Sequence, residues 1–143
     1  MSDFTYLEAG VLSAICDNDA HNGEVIQRLL LAAKVTGREN NGHGFYTQIE
    51  TARTEPLPNL YTGALNGPDA QIIGMGEVML MGFILWFENG YPNELEGFQY
   101  GNKVGDTVDL RRYDLATLRY MRLETYAGIE LAPPIFTEYL LFI

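Results

Sequence analysis

Near the N-terminus, apolar residues recur at helical spacing. In "FTYLEAGVLSAICDND", Leu7, Val11, Ala14 and Ile15 fall on one face of a helix. Thr5 and Glu8 have capping-box spacing, in which the threonine hydroxyl takes an amide proton and the glutamate reaches back. Asp17-Asn18-Asp19 is expected to end this helix. A second helix is expected from Asn22 as its cap, with Val25, Ile26, Leu29, Leu30 and Ala33 as its stripe and Gly37 near its stop.

After "GRENNGHG" the period changes to two. Phe45, Thr47 and Ile49 alternate with Tyr46, Gln48 and Glu50, which predicts a strand with its odd-numbered positions inward. "RTEPLPNLYTG" holds two prolines and reads as a loop or an edge segment, and "NGPDA" at 66–70 as a turn. "QIIGMGEVML" and "GFILWFE" read as successive strands, or as one long strand bent at Gly74, Gly76 or Gly82. Asn89-Gly90 is the strongest hairpin signal, because a type I′ turn needs positive φ at both central residues. "ELEGFQYG" then returns. "TVDLRRYDL" reads as a short strand or the lead into a helix such as "LATLRYM", and the apolar end of "GIELAPPIFTEYLLFI" as a docked tail.

These elements predict one α+β domain over residues 1–143. A helical pair (1–37) packs on a mostly antiparallel sheet with its tail (44–143), a meander whose central hairpin turns at Asn89-Gly90. There is no β-α-β alternation, so a Rossmann-type fold is not expected.

Along "GFILWFE", Phe83, Leu85 and Phe87 point one way and Ile84 and Trp86 the other. A strand apolar on both faces is covered on both. The helices can cover one face, and the C-terminal tail or a second subunit are the candidates for the other. On the returning strand, strict alternation puts Glu94, Glu96, Phe98 and Tyr100 together. A bulge at Gly97 would instead group Leu95 with Phe98 and Tyr100 and leave the glutamates outward, and this is the expected arrangement.

"GFILWFENGYPNELEGFQYG" resembles a recurring segment of small bacterial proteins that carry no assigned activity. Their pattern is an apolar strand, a glycine turn and Leu-Glu-Gly-aromatic. The blocks "YLEAGVLSAI" and "VTGRENNGHGFYTQIE" are similar to others in the same group, in the same order, so that the likeness spans residues 5–50 and 82–101. Members commonly continue with an acidic segment bearing Trp-Pro, where this chain has "GNKVGDTVDL". The resemblance implies the order of elements and no activity.

The chain has 143 residues, with 19 acids against nine bases and a formal charge of −10. Eight acids and four bases lie in 1–60, eleven and five in 61–143, so the excess is spread along the chain. Such a field repels phosphate backbones and anionic membrane surfaces, so neither nucleic acid nor membrane is an expected partner. The second helix offers only Arg28 and Lys34 as basic residues, which argues against a helix-turn-helix DNA reader. With one cysteine, no intrachain disulfide and no cysteine zinc cluster can form. No basic n-region opens the chain, and the longest apolar run, Val78–Phe87, is too short to span a bilayer. A cytoplasmic location is expected by elimination.

Several side chains are candidates for chemistry. His43 lies between two glycines, with Glu39 and Glu50 near in sequence, and would suit an acid–base or metal cluster; the plainer alternative is an exposed loop histidine. His21 reads as part of the interhelical turn. Arg38 can bind a ligand, or pair with Glu50 or Glu96 and tie helix to strand. Glu88, Glu94 and Glu96 have the types needed for paired-carboxylate glycoside hydrolysis, because i and i+2 on a strand lie about 6–7 Å apart; solvated strand charges are the alternative. Cys16, beside Asp17, reads as a small buried hydrophobe, since a neighbouring carboxylate disfavours its thiolate. The glycines of "GMGEVMLMG" lack the Lys-Ser/Thr of a phosphate-cradling loop. Arg111, Arg112, Arg119 and Arg122, interleaved with Tyr113 and Tyr120, alternate with Asp109 and Asp114 as in a salt-bridged surface.

The leading expectation is a non-catalytic interaction protein. An acidic, aromatic-bearing sheet surface (Trp86, Tyr91, Glu94, Glu96, Tyr100) would hold a basic protein, in the manner of a toxin-neutralising immunity protein, or a second copy of the chain. The alternative is a small enzyme or ligand-binding domain with Arg38, Glu39, His43 and Glu96 around a pocket beside the hairpin. A structural subunit that dimerises through its greasy strand and tail is a third. No metal or cofactor is expected.

Overall fold

A computed structural model describes residues 3–76, 78–102, 104–122, 125–126 and 129–130. Two N-terminal helices, α1 (Tyr6–Asn18) and α2 (Gly23–Leu31), precede seven strands of one curled antiparallel sheet. The strands are β1 (Lys34–Asn40), β2 (Gly44–Glu50), β3 (Gly63–Asn66), β4 (Ala70–Ile73), β5 (Met79–Glu88), β6 (Tyr91–Gly101) and β7 (Arg119–Arg122). Their order is β1-β2-β6-β5-β4-β7, with β3 also on β5, and the β5–β6 hairpin lies at the centre. A two-stranded ladder, β8 (Thr125–Tyr126) with β9 (Ile129–Glu130), stands apart. The fold is α+β. The apolar tail from residue 131 onward lies outside the described residues.

The capping box forms as its spacing dictates: Thr5 accepts from the Glu8 amide, and Glu8 accepts from the Thr5 amide. Beyond it, α1 is buried on every side from Leu7 to Cys16, rather than along one stripe. A helix enclosed all round needs apolar or small residues all round, and Ala9, Gly10, Ser13 and Ala14 supply them. The sheet curls about it until β7 reaches the helix, where the Tyr120 hydroxyl donates to the Gly10 carbonyl at 2.7 Å.

The second helix stops earlier than its apolar spacing suggests. It ends at Leu31, Asn22 caps it without a side-chain hydrogen bond, and Gly37 lies inside β1. "KVTGREN" mixes charge with small residues because, among the described residues, it is an edge strand paired with β2 alone.

On β2, Phe45, Thr47 and Ile49 are buried as the alternation predicts. Segments 70–73 and 79–88 are two antiparallel strands rather than one bent strand, joined through Gly74 and Gly76 at positive φ. Asn89 and Gly90 both adopt positive φ, 52° and 87°, as a type I′ turn requires.

The returning strand corrects the expected register. Gly97 pairs regularly with Phe83, and the bulges fall instead at Tyr100 and Asn93. Gly97 is there for close approach, because a Cβ would lie 2.4 Å from the Phe45 ring. Leu95 is therefore inward, whereas Glu94, Glu96, Phe98 and Tyr100 share the outer face. Among the described residues after β6 there is neither a long strand nor an α-helix: residues 110–112 and 115–117 form single 3-10 turns, capped by Asp109 and Asp114.

Candidate binding surface and edge cleft

Cross-strand pairing builds the outer face row by row. Glu39 of β1, Tyr46 of β2, Glu96 of β6 and Ile84 of β5 form one row. Gln48, Glu94 and Trp86 form the next, and Phe98 lies over Gly82 in a third. Within these rows Glu96 accepts from the Trp86 indole N–H at 3.0 Å, and Gln48 donates to Glu94 at 3.0 Å. The charge of Glu96 foremost, then burial, the charges of Glu94 and Glu39, and a hydrogen bond to Glu96 raise the pKa of Tyr46. Cross-strand pairing sets Glu39 on one side of Tyr46 and Glu96 on the other. Tyr100 extends the face and donates to Asp69 at 2.9 Å. Trp86 and Tyr100 are 39% and 53% exposed, values that leave their rings open to contact. Lys34, opposite Glu50, is the one basic residue that β1, β2, β5 and β6 place there.

Tyr91, opposite Glu88, adds no open ring to this face. It is buried, with the Arg53 guanidinium over its ring at 4.5 Å.

The inner side is organised by another glutamate. Arg38 does not pair with Glu50 or Glu96; it turns inward and grips Glu8 with both Nε and Nη2, at 3.0 and 2.8 Å. Its Nη2 also donates to the Asp3 carbonyl at 2.8 Å. Glu8, 3% exposed, accepts besides from the Thr5 amide and the Thr47 hydroxyl. Burial by itself would raise the Glu8 pKa, but hydrogen bonds from Arg38, Thr47 and Thr5, with the Arg38 charge, hold it below its ordinary value. One carboxylate thus joins the start of α1 to β1 and β2.

Beside this pair is a cleft of about 320 Å³ between α1, the β1–β2 edge and the turn at 115–117. Leu7, Phe45, Leu115 and Ala116 give it apolar walls, and Arg38, Glu39, Tyr46 and Asp114 also line it. A second hollow of about 360 Å³, bordered by Asp3, Phe4 and Tyr6, shares Thr5, Arg38 and Ala116 with the first.

Of the four residues expected around one pocket, Arg38 and Glu39 line the cleft, whereas His43 and Glu96 do not. Arg38 faces inward and Glu96 outward, while Glu39 stands on the exposed edge strand. His43 is exposed at the β1–β2 turn, where its main chain makes the hydrogen bonds. It is three residues beyond Tyr46, about 10 Å along the strand. Glu94 and Glu96 do share a face, but Gln48, Tyr46 and Trp86 engage them and neither lines the cleft. Burial, then the charges of Asp17 and Asp19, push the Cys16 thiol up to about 12, so it stays protonated at neutral pH. Arg111 pairs with Asp109 at 2.9 Å and Arg119 stacks on Tyr6 at 3.9 Å, which disperses the arginine cluster. Among the described residues, no group of three His, Cys, Asp or Glu side chains could hold a metal ion, and no helix is long and apolar enough to cross a membrane.

Glu8 is the residue that pattern reading placed only in part, as a helix cap. The inward Thr47 was its one further signal, since a buried hydroxyl needs a partner. Comparisons with family models, with curated proteins and with solved structures found no match to this chain.

Proposed function

We propose that the protein is a non-catalytic, cytoplasmic interaction module, and that the outer face of its sheet docks a basic protein partner. The observation that carries this reading is the row in which Glu39 and Glu96 flank Tyr46, with Glu94 in the next row beside the exposed Trp86. Aromatic rings offer contact area at low entropic cost, and carboxylates around them attract and orient a cationic surface. An immunity-type role, in which a small acidic protein covers a basic one, fits this chemistry. Self-docking through the same face is disfavoured, because it would bring like charges together on a chain of net charge −10.

Hexa-arginine serves as a minimal basic probe in calorimetry at low salt. The double variant Glu94→Gln/Glu96→Gln is expected to weaken its binding by about fivefold or more, the scale of two partly exposed charge contacts. Asp17→Asn/Glu24→Gln removes the same charge from the exposed surface of the helical pair and is expected to leave binding nearly intact. Equal loss in both variants would reduce the interaction to net charge and overturn the reading.

A further inference from the structure

Glu39 and Tyr46 belong to two features at once. They form part of the acidic row on the outer face, and they line the cleft at the β1–β2 edge. The docking face therefore runs over the sheet edge into a preformed hollow with apolar and aromatic walls.

The charges around the hollow decide what it suits. Arg38, the one cation among its described lining residues, is matched by the buried Glu8 carboxylate in a two-point pair. Glu39 and Asp114 stand at its walls and Asp3 at the adjoining hollow, none in an ion pair with a described residue. Asp114 spends one oxygen on the Ala116 amide, and Asp3 one on the Val35 amide. The described lining thus combines an apolar body with a negative rim. That complements a long side chain with a methylene stem and a cationic head, which buries its stem and keeps its charge at the rim. The half-buried Tyr46 ring adds a face on which a guanidinium stacks.

We infer that the cleft between α1, the β1–β2 edge and the turn at 115–117 receives an arginine or lysine side chain of the basic partner, as the anchor of the docked complex. This rests on the proposed docking function and adds where the partner's deepest contact falls. A single side chain in a desolvated hollow carries a large share of an interface's energy, whereas charges on an open face steer and orient.

Ala116 is exposed and borders both hollows, so Ala116→Phe fills the cleft without touching the fold or the charge. Asp114→Asn removes one rim charge and keeps a side chain able to cap the turn. Hexa-arginine is titrated against the full chain and both variants by calorimetry, with NMR cross-peaks between arginine methylene protons and the Leu7 and Leu115 methyls as a positional readout. The expected result is roughly tenfold weaker binding for Ala116→Phe, a smaller loss for Asp114→Asn, and cross-peaks in the parent chain alone. Unchanged affinity in Ala116→Phe, with binding still lost in Glu94→Gln/Glu96→Gln, would overturn the cleft and leave the face standing. No binding by the parent chain would remove both.

Discussion

Glu8 closes the capping box, anchors Arg38 and satisfies a buried threonine, all with one carboxylate. Its consequences for stability are specific. Because its folded pKa lies below the ordinary 4.5, it contributes stability that is complete above that pH and is lost as pH falls through the lower folded value. Urea unfolding is expected to show Glu8→Gln clearly less stable than the parent chain at neutral pH. That gap should narrow as the pH drops below about 4.5. A gap constant with pH would mean that the carboxylate's charge has no part in holding the fold. Truncating its partner leaves a buried charge short of two donors. Arg38→Ala is expected to cost about 2–3 kcal/mol, less than a fully buried pair because water reaches the guanidinium. Arg28 grips Glu55 with similar geometry but in open solvent, so Arg28→Ala should leave the urea midpoint where it is. Equal effects in the two variants would contradict the distinction.

The elements differ in how openly their residues declare them. Thr5 with Glu8, the inward Phe45, Thr47 and Ile49, and Asn89-Gly90 each act through local geometry, and each forms as its spacing says. Gly90→Ala tests the last of these, because the residue sits at φ 87° and a Cβ would meet Pro56 at 2.6 Å. Its cost is expected to be about 2 kcal/mol by urea unfolding, and an unchanged midpoint would contradict the turn. Other features depend on distant partners and are silent in the local pattern. Edge strand β1 carries no alternation, because it is paired on one side and neither of its faces is fully covered. The local pattern suggests a bulge at Gly97, yet the residue pairs regularly, and its reason is the Phe45 ring from another strand. The partner of Arg38 was hidden for the same cause: Glu8 lies 30 positions away and already had a role as a cap. Of the candidate site, Trp86, Glu94, Glu96 and Tyr100 could be placed from period-two spacing. Tyr91 could not: period-two spacing puts it with the inward Leu95, but the bulge at Asn93 sets it opposite Glu88, where Arg53 covers its ring.

For the whole molecule, the central contrast is between the two sides of one sheet. The inner side encloses α1 and neutralises its one buried carboxylate with Arg38. On β1, β2, β5 and β6 the outer side gathers carboxylates around exposed rings, with Lys34 the one basic residue those strands place there. Like-charged faces repel most strongly where salt is low. Light scattering is therefore expected to show no self-association through this face as salt is reduced. A dimer strengthened at low salt and lost in Glu94→Gln/Glu96→Gln would contradict that expectation.

Trp86 is the one tryptophan in the chain and stands on the outer face in a hydrogen bond with Glu96, so its emission reports on that face. The most direct measurement is a fluorescence titration with hexa-arginine at low and at near-physiological salt. The account predicts a saturable change in Trp86 emission whose midpoint moves to higher peptide concentration with salt, and which Glu96→Gln largely removes. An emission unaltered by the peptide, or a change indifferent to both salt and Glu96→Gln, would contradict it.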